Sequence, residues 1–305
     1  MTIRYLTIFL AVAEYGTMSA AAKQLYLSQP TVSQAIREME QHYHGLLFER
    51  FGKKLYLTER GKLLLSHARD LVSQFEQLEE LMLSQGQNER FRLGTTLTVG
   101  TCLAPTLIGE LEETLPGLEV YSFVSNTHEI EEKLLKSELD AAVVEGEIQS
   151  PDLIVIPIIE DCLVLGCGSQ HPFFEKTQIS NSELNGQCFA MREQGSGTRQ
   201  LFEDYIKRHD ISIKVTWEAN CPRTIINAVI WNKVLSVMSL RLLTHELAHE
   251  KIRVFYDEKQ EWNRKFKLVY HKNKFLTPAI YELEKILYQH KEMKLPKEYG
   301  ILIHR

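Results

Sequence analysis

Residues 17–41 (TMSAAAKQLYLSQPTVSQAIREMEQ) constrain the fold of this 305-residue chain more than any other segment. Ser19 is predicted to cap a short helix that ends near Leu25 and packs through a run of three alanines. Ser28 is predicted to cap a second helix that continues to about Glu40, because a serine oxygen can accept a free N–H of a first turn. Only two residues separate these helices, so the segment predicts a helix-turn-helix.

The second helix has one apolar face and one polar face. Apolar residues recur three or four positions apart at Val32, Ile36 and Met39, which predicts a buried inner face. The outer face carries short polar side chains and an arginine, which can contact base edges and phosphates in a DNA major groove. A solvated polar face has the same pattern, so the segment alone leaves both interpretations open. The predicted DNA contacts of this helix are Ser28, Gln29, Pro30, Thr31, Ser33, Gln34 and Arg37.

A basic hairpin is predicted next, in the sequence LLFERFGKKLYLTERG. Leu55 and Leu57 alternate with Tyr56 as in a short strand, and Gly52 with the lysines after it forms the turn. Residues 1–62 contain eight Lys and Arg against five Glu, a net charge of +3, whereas the whole chain has a net charge of -5. This asymmetry is typical of a phosphate-binding module on an acidic protein. The predicted DNA contacts of the hairpin are Arg50, Lys53 and Lys54.

A long helix is predicted from Thr58 onward. Its apolar residues are spaced alternately four and three apart, which forms a heptad seam. A helix packed on its own domain is the alternative, but a narrow stripe on a helix between two domains favours a dimeric coil. A dimer would bring two reading helices to two half-sites on one face of DNA. The seam consists of Leu64, Ala68, Leu71, Phe75, Leu78 and Met82.

Residues 1–64 resemble the winged helix-turn-helix of the LysR-type transcriptional regulators. The family usually places Leu-Gly four residues before its Leu-Phe, whereas this chain has Tyr43-His44 there and Gly45 one position later. The resemblance implies an interrupted palindrome as the DNA target and a homotetramer built from dimers. It rests on Phe9, Val12, Glu14, Ala20-Ala21-Ala22, Leu25, SQPTVSQAI, Glu40, LFER, Leu57-Thr58 and Gly61.

From about residue 93, strand-like and helix-like segments alternate. LTVGT, LEVYSFVS and LDAAVVEG are predicted strands with helical segments between them. Near-continuous apolar strands that alternate with helices predict a parallel α/β sheet, which binds ligands at the carboxyl ends of its strands. The candidate ligand residues at these ends are Thr101, Cys102, Asn126 and Glu145.

A second α/β unit is predicted from about 163 to 266. The sequence GSGT precedes a predicted helix over 199–208, so free backbone N–H groups, two hydroxyls and a guanidinium make a candidate anion site. A plain capped helix start is the alternative. Two further predicted strands end near residues 220 and 238. The candidate ligand residues of this unit are Ser196, Gly197, Thr198, Arg199, Asn220 and Met238.

The order of RLGTTLTVGT, ELDAAVVEG, REQGSGTR and KLVYHKNKFLTPAIYELEKIL is similar to that of the LysR-type effector domain. The resemblance, which extends to about residue 290, implies a periplasmic-binding-protein-like fold of two α/β subdomains around an effector cleft. The predicted organisation is a DNA-binding domain over 1–58, a linker helix over 59–90 and an effector domain over 91–305. Within the effector domain, subdomain I takes 91–162 and 267–305, and subdomain II takes 163–266.

Two features indicate other functions. His245-Glu246-Leu247-Ala248-His249 has the H-E-x-x-H spacing of zinc peptidases, in which two histidines bind the metal and the glutamate is the base. So short a pattern also occurs by chance, and a zinc peptidase needs a third ligand and a cleft, so we predict no enzyme, no metal site and no cofactor. Cys188 and Cys221 are candidate partners in a thiol-sensing regulator of the same fold.

The N-terminal segment MTIRYLTIFLAVAEYG could be a short signal peptide, but the helix-turn-helix after it favours an amphipathic helix. No stretch approaches the ~18 apolar residues of a membrane span. The five cysteines are an odd number without a C-x-x-C pair, which favours free thiols in a reducing compartment. We therefore predict a cytoplasmic transcription regulator that binds double-stranded DNA, a small anionic effector and copies of itself, with RNA polymerase as a further candidate partner.

Overall fold

The structure is a computed structural model that describes residues 1–52, 54–83, 89–292 and 299–304. Lys53 of the predicted hairpin and residues 84–88 of the predicted linker lie outside these ranges. The chain divides into two compact units. The N-terminal unit contains Met1–Arg90 with the short segments Leu135–Glu138 and Asn273–Phe275, and the second unit contains the remaining residues. No described helix is both long and apolar enough to cross a bilayer.

The N-terminal unit has the predicted winged helix-turn-helix architecture. The inner faces of its first three helices pack together around Phe9, Val12 and Val32, which are fully buried. Thr17, rather than the predicted Ser19, caps the second helix, because the Thr17 hydroxyl accepts the N–H of Ala20 at 3.1 Å. The described elements are α1 (Ile3–Tyr15), α2 (Met18–Gln24), α3 (Gln29–His42), β1 (Phe48–Phe51), β2 (Lys54–Leu57) and α4 (Glu59–Leu83).

The turn after α3 has a left-handed residue that is not glycine. His44 has a φ of 52° and donates its N–H to the carbonyl of Gln41 at 3.2 Å, while the N–H of Gly45 bonds the carbonyl of Glu40 at 3.0 Å. This pair of bonds is a Schellman motif, in which glycine usually occupies the left-handed position. A Cβ added to Gly45 would lie 2.3 Å from Nη1 of Arg60. A Cβ at Gly45 would therefore displace the guanidinium of Arg60, while His44 carries the left-handed backbone that glycine usually adopts.

Exchanging residues in this turn is expected to move stability in opposite directions. His44→Gly should raise the free energy of unfolding by about 0.5–1 kcal/mol, because glycine adopts a positive φ without steric cost. Gly45→Ala should lower it, since the new Cβ would push Arg60 away from the carbonyl of Tyr43, which Arg60 contacts at 2.6 Å. Urea denaturation of both variants measures the difference. A change of the same sign in both would contradict this turn geometry.

The predicted heptad seam of α4 divides into two parts. Leu64 and Ala68 pack into the core of the N-terminal unit. This part of α4 therefore follows the alternative prediction, a helix packed on its own domain. The remaining seam residues, from Leu71 onward, are exposed and form a surface that another chain could cover. These residues, which we call the exposed seam, are Leu71, Phe75, Leu78 and Met82.

The second unit is built on two sheets. One has five strands in the order β4-β3-β5-β13-β6, and the other has seven in the order β10-β9-β11-β7-β12-β14-β8. In chain order the elements are β3 (Glu89–Thr96), α5 (Leu97–Cys102), α6 (Ala104–Thr114), β4 (Leu118–Ser125), α7 (Thr127–Leu135), β5 (Ala141–Val144), β6 (Leu153–Asp161), β7 (Leu163–Gly168), β8 (Gln178–Ser180), β9 (Cys188–Arg192), α8 (Gly197–Arg208), β10 (Lys214–Ala219), α9 (Pro222–Trp231), β11 (Leu235–Ser239), α10 (Thr244–Ala248), β12 (Ile252–Asp257), β13 (Arg264–His271), α11 (Pro278–Gln289) and β14 (Gly300–Ile303).

Two predictions about the first sheet are wrong. LTVGT is the helix α5 and not a strand, because β3 ends at Thr96 and α5 then buries Thr98 and Val99. Tertiary packing thus overrides the strand preference of its β-branched residues. The sheet is also mixed rather than parallel, since β13 runs antiparallel to both β5 and β6. β13 joins the first sheet only after the chain has formed strands β7 to β12 of the second sheet.

The subdomain boundaries also differ from the predicted ones. The chain crosses from the first sheet to the second at Cys162, and it returns with β13 at Arg264 rather than at the predicted residue 267. The range 267–305 is not all in subdomain I, because β14 joins the second sheet between β12 and β8. Backbone pairing on both sides of β14 fixes this placement, which hydrophobic periodicity does not reveal.

Candidate functional site

The outer face of α3 is accessible along its length. Its predicted contacts are exposed, except for the half-buried Ser33, while the apolar face beneath is buried. At the start of the helix, Oγ of Ser28 accepts the N–H of Thr31 at 3.3 Å and lies 2.8 Å from the Thr31 hydroxyl. Ser28 therefore caps α3, as predicted, and its contacts hold the side chain of Thr31 in place. Thr31 lies at the N-terminal end of α3, and in helix-turn-helix proteins the N-terminal residues of the recognition helix contact the base edges.

Two longer side chains on this face are held by neighbours on α3. Nε2 of Gln34 donates to Oε1 of Glu38 at 2.8 Å, and Nε of Arg37 donates to the carbonyl of Ser33 at 3.3 Å. Hydrogen bonds from Tyr5 and Gln34 lower the pKa of Glu38, so this carboxylate remains ionised next to Gln34. The amide of Gln34 is thereby oriented before any ligand arrives.

The hairpin is fastened to α3 by a carboxylate. Oε1 of Glu40 accepts the N–H of Leu47 at 2.8 Å and that of Phe48 at 3.3 Å, and both of these residues are buried. Glu40 therefore holds the start of β1 against α3, a role that the sequence pattern did not predict. Arg50 and Lys54 lie exposed on the two strands of the hairpin, at the surface that the sequence predicted for DNA contacts.

A buried arginine joins the two halves of the second unit. Arg264 begins β13, and its side chain is 5% exposed. Its guanidinium donates to Asp161 at 2.8 Å and to Glu145 at 3.1 Å, at the ends of β6 and β5. It also donates to the hydroxyl of Thr198 in α8, at 2.8 Å. Because α8 packs on the second sheet, these contacts, which we call the Arg264 cluster, link the two subdomains.

The Arg264 cluster contains two carboxylates and one guanidinium. Burial raises the pKa of Asp161, and Arg264 and Ser239 oppose that rise. Ser239, at the end of β11, donates its hydroxyl to Oδ1 of Asp161 at 2.5 Å. Burial acts to lower the pKa of Arg264, but the charges of Glu145 and Asp161 raise it overall. The guanidinium therefore stays charged and neutralises carboxylates that would otherwise be buried without a cation.

Arg199, the predicted anion ligand, is occupied by other partners. Its Nε contacts Glu203 at 2.6 Å, and its Nη1 contacts Glu218 at 2.6 Å and the carbonyl of Arg192 at 2.9 Å. These bonds fasten the start of α8 to strands β9 and β10. The predicted role of Arg199 is therefore corrected from ligand binding to structural support.

Three cavities lie beside the Arg264 cluster in the described part of the chain, and predicted ligand residues line two of them. The third, of about 830 Å³, is lined by Asp161 and Asn263 among others but by no predicted ligand residue. Of the first two, the larger has a volume of about 500 Å³ and is lined by residues of both subdomains, among them Thr127, Glu145, Ser196 and Lys267. The smaller has about 10 Å³, which suits at most a single water, and it is lined by Thr98, Arg192, Thr198, Met238 and Ser239 among others. The larger cavity is within the size range of small-molecule sites.

The start of α8 approaches the first sheet very closely. A Cβ added to Gly197 would lie 3.1 Å from Cα of Gly146, which follows β5. Ser196 is only 5% exposed, lines the larger cavity, and its hydroxyl has no hydrogen-bond partner among the described residues. A buried hydroxyl without a partner is uncommon in folded proteins and is satisfied when a ligand supplies the missing group.

Several predicted ligand residues do not reach either cavity. Thr101 is exposed and donates its hydroxyl to the carbonyl of Leu97 at 2.7 Å within α5. Oδ1 of Asn126 accepts the N–H of Glu129 at 2.9 Å and so caps α7. Cys102 and Asn220 also line neither cavity. The error for Thr101 and Cys102 follows from the misassigned strand, because the true end of β3 brings Thr98 to the smaller cavity instead.

The H-E-x-x-H pattern has a structural explanation. Glu246 is buried in the short helix α10 and forms an ion pair with Arg223, so its carboxylate is not free to act as a base. His249 bonds the carbonyl of His245 through Nδ1 at 2.8 Å. In the part of the chain that the structure describes, no third His, Cys, Asp or Glu completes a metal site with these two histidines.

The two candidate sensor cysteines lie at opposite ends of a strand pair. Cys188 is opposite Lys214 at the start of β9 and β10, whereas Cys221 follows the end of β10. The paired segment of β9 from Cys188 to Arg192 is about 13 Å long, at roughly 3.3 Å per residue. A disulfide requires Cα atoms within about 7 Å. A Cys188–Cys221 disulfide would therefore require this part of the fold to rearrange.

Iodoacetamide is expected to modify the exposed Cys221 before the half-buried Cys102 and Cys162 and the buried Cys167. The N–H and hydroxyl of Thr224 lower the pKa of the exposed Cys221 thiol. Burial raises the pKa of Cys102 and of Cys167 to about 12 and that of Cys162 to about 11. Since the thiolate is the reactive form, peptide mass spectrometry over a time course should find Cys221 modified first. Early modification of Cys102 would contradict this order.

Comparisons with known proteins agree with this architecture. Residues 3–62 match the family described as "Bacterial regulatory helix-turn-helix protein, lysR family", and residues 84–291 match "LysR substrate binding domain". The chain is 28% identical over 292 residues to the HTH-type transcriptional activator CmpR of Synechocystis sp.. The aligned region covers 95% of this chain and 96% of CmpR.

Solved structures show the same fold. A full-length OxyR variant from Pseudomonas aeruginosa superposes with a TM-score of 0.68 at 22% identity, over 97% of this chain and 99% of that chain. The regulatory domain of Synechocystis PCC6803 CcmR, solved in complex with 2-PG, superposes with a TM-score of 0.61 at 27% identity, over 67% of this chain and 97% of that domain. Together with the two family matches, these findings show that the chain belongs to the LysR family of transcriptional regulators.

Proposed function

We propose that this regulator reads double-stranded DNA with α3 and the β1–β2 hairpin, and that a small anionic effector bound in the 500 Å³ cavity controls it. The proposed operator is an interrupted palindrome, read by two N-terminal units of an oligomer. Such a regulator acts in the cytoplasm, where its DNA and its candidate partner RNA polymerase are found. The buried, unpartnered hydroxyl of Ser196 at the cavity wall is the observation that carries the effector proposal.

The DNA-binding part of the proposal rests on accessible side chains over a rigid support. Gln29, Thr31 and Gln34 can reach base edges from the exposed face of α3, whereas Arg50 and Lys54 on the hairpin are suited to phosphates. The net charge of +3 over residues 1–62 attracts the backbone of any DNA sequence. The polar α3 face then supplies the sequence preference.

Two substitutions separate base reading from phosphate binding. Duplexes selected from a random pool by the wild-type protein provide an operator, and fluorescence anisotropy measures its affinity at several salt concentrations. Arg50→Ala should weaken binding to all sequences and reduce the salt slope by about 1. Gln34→Ala should relax sequence preference at one position with a cost of about 1–3 kcal/mol. Equal loss on operator and random DNA in Gln34→Ala would reject its base-reading role.

The effector part of the proposal rests on the chemistry around the start of α8. This helix has 12 residues, so its first N–H groups carry a partial positive charge that favours an anion. Lys267 lines the same cavity, donates to the carbonyl of Gly146 at 3.2 Å and pairs with Glu147, whose side chain is exposed. Glu131 also lines the cavity and already accepts backbone N–H groups from Gln149 and Ser150. The related CcmR domain was solved with 2-PG bound, which supports a small ligand in a domain of this fold.

A thermal-shift screen with small carboxylates and inorganic oxyanions tests the cavity. A ligand at a hundred times its Kd should stabilise the protein by about 2.7 kcal/mol, a shift of several degrees. Ser196→Ala should reduce that shift, whereas Ser169→Ala, which removes an exposed hydroxyl, should retain it. Hits that keep their full shift in Ser196→Ala would reject this site. Shifts from neutral compounds alone would reject an anionic effector.

We further propose that the exposed seam of α4 forms a homodimer and that dimers assemble into a homotetramer. Phe75 and Met82 are apolar and exposed on a 25-residue helix, and a second copy would remove them from water. Phe75→Glu should dissociate the dimer in analytical ultracentrifugation, because it places a charge in the contact. Lys23→Glu, a charge change at an exposed position on α2 of the same unit, is the control. Dissociation by both variants to the same degree would argue against a seam contact.

A further inference from the structure

We propose that His209, Glu261 and His304 bind a divalent transition metal ion such as Zn²⁺ on the second sheet of the effector domain. The ligand atoms of these three residues all lie within 4.8 Å of one another. Nε2 of His209 is 3.1 Å from Oε2 of Glu261, and Nδ1 of His304 is 3.3 Å from Oε1. Two imidazoles and one carboxylate are a common Zn²⁺ ligand set, which leaves a fourth position for water.

The orientation of His304 is the second observation that favours a metal. Its side chain is only 4% exposed, and Nε2 is hydrogen-bonded to the fully buried carboxylate of Asp257. This bond leaves Nδ1 facing Glu261 and His209. Nδ1 lies 3.3 Å from Oε1 of Glu261, but the contact does not have hydrogen-bond geometry, and no other described residue supplies a hydrogen bond to Nδ1. A carboxylate on one ring nitrogen and a metal on the other is the usual arrangement for a metal-bound histidine, because the carboxylate fixes the tautomer.

A hydrogen-bonded network without a metal is the competing explanation for the same residues. Arg208 donates to Oε2 of Glu261 at 2.7 Å and could balance its charge without a metal. However, Arg208 is 54% exposed, so its side chain can turn to solvent when a cation enters. Neither Arg208 nor His209 supplies a partner for Nδ1 of His304, which a metal ion would do.

The site would connect segments that are far apart in sequence. His209 caps the end of α8, Glu261 lies between β12 and β13, and His304 directly follows β14. A metal ion shared by them would fasten the last strand of the chain to α8. Since metal binding requires this folded arrangement, the ion should stabilise the domain and raise its melting temperature.

Metal titration of the purified full-length protein tests the proposal. After chelator treatment, Zn²⁺ affinity is measured by competition with a chromophoric chelator, and Co²⁺ serves as a spectroscopic probe of coordination. We expect one tight site per chain and a Co²⁺ absorption typical of four-coordination. His304→Ala and Glu261→Gln should each weaken Zn²⁺ binding by at least about 100-fold, and Asp257→Asn should weaken it by about 10–100-fold by releasing the His304 ring.

The exposed His245 and His249 provide a matched control, because they lie one helical turn apart and could bind metal adventitiously. The double variant His245→Ala/His249→Ala should keep the tight site. Loss of tight binding in that variant, or unchanged binding in both His304→Ala and Glu261→Gln, would overturn the proposal. Absence of tight binding in the wild type would overturn it as well. Circular dichroism of each variant, with Glu261→Gln as the nearly isosteric change, separates lost ligation from lost folding.

Discussion

Arg264→Met is expected to lower the free energy of unfolding by about 3–5 kcal/mol at neutral pH, the largest single effect in the effector domain. The substitution keeps the volume of the side chain but leaves Asp161 and Glu145 buried without their shared cation. Removing one partner of a buried ionic cluster costs more than the cluster contributes, because the remaining charges stay desolvated. Urea denaturation of the variant and the wild type measures the loss.

The pH dependence of that loss identifies its cause. Burial already raises the pKa of Asp161 in the wild type, and loss of the opposing charge of Arg264 raises it further in the folded variant. The folded variant then binds a proton that the unfolded chain does not, so its stability is highest at low pH and falls as pH rises from the unfolded pKa of Asp161 to the raised one. The gap to the wild type should therefore shrink at about pH 5. A gap that does not depend on pH would assign the loss to packing instead.

Lys265→Met is the matched control for this experiment. Lys265 is the next residue on β13 and pairs with Glu160, but both side chains are at least half exposed. Surface ion pairs contribute about 0–1 kcal/mol, so this variant should remain close to the wild type. A large loss in Lys265→Met would indicate that β13 tolerates no methionine, and that the Arg264 result does not report on charge.

Glu40→Ala is expected to lower the stability of the N-terminal unit by about 2–4 kcal/mol and to weaken DNA binding. The carboxylate accepts two backbone N–H groups, from Leu47 and Phe48, which would remain buried without a partner. Each lost hydrogen bond to a charged group costs about 1.5–3 kcal/mol. The hairpin would then no longer be held against α3, so affinity should fall even though a negative charge has been removed.

Glu49→Ala separates the two effects of this substitution. Glu49 lies on β1 of the same hairpin and is exposed, so its removal changes the net charge equally without breaking an anchor. Affinity for DNA should rise slightly in Glu49→Ala, because phosphate attraction grows with positive charge. Fluorescence anisotropy measures the DNA affinity of both variants. Weaker binding by Glu49→Ala as well as Glu40→Ala would show that net charge alone does not determine the DNA affinity of the N-terminal unit.

The N-terminal unit could be predicted well because its determinants are local. The capping role of Ser28 and the spacing of Val32, Ile36 and Met39 each lie within two turns of the helix they define. The cap of α2 was misplaced by two residues because Thr17 and Ser19 are both good caps, and only the backbone shows which one precedes the helix. The left-handed residue of the turn after α3 could not be recognised for the same reason. Gly45 is next to His44, and only the backbone shows that His44 has the positive φ.

The candidate cleft was predicted less well because its partners are distant in sequence. Glu145 and Arg264 are separated by 119 positions, and no periodicity connects them. Arg199 looked suited to an anion because it follows a glycine-rich turn, but Glu218 on a neighbouring strand occupies it. The predicted ligand residues that line the larger cavity, Glu145, Ser196 and Gly197, lie at element ends whose positions follow from local patterns.

The position of β14 has a consequence for deletion mapping in this protein. The match to the substrate-binding domain ends at residue 291, which would be a natural place to truncate the chain. Yet Gly300–Ile303 form an interior strand, and among the described strands β8 pairs only with them. A fragment ending at 291 would expose an unpaired edge on β12 and release β8, which invites aggregation. Loss of regulation in such a fragment would report a damaged sheet and not the removal of a regulatory tail.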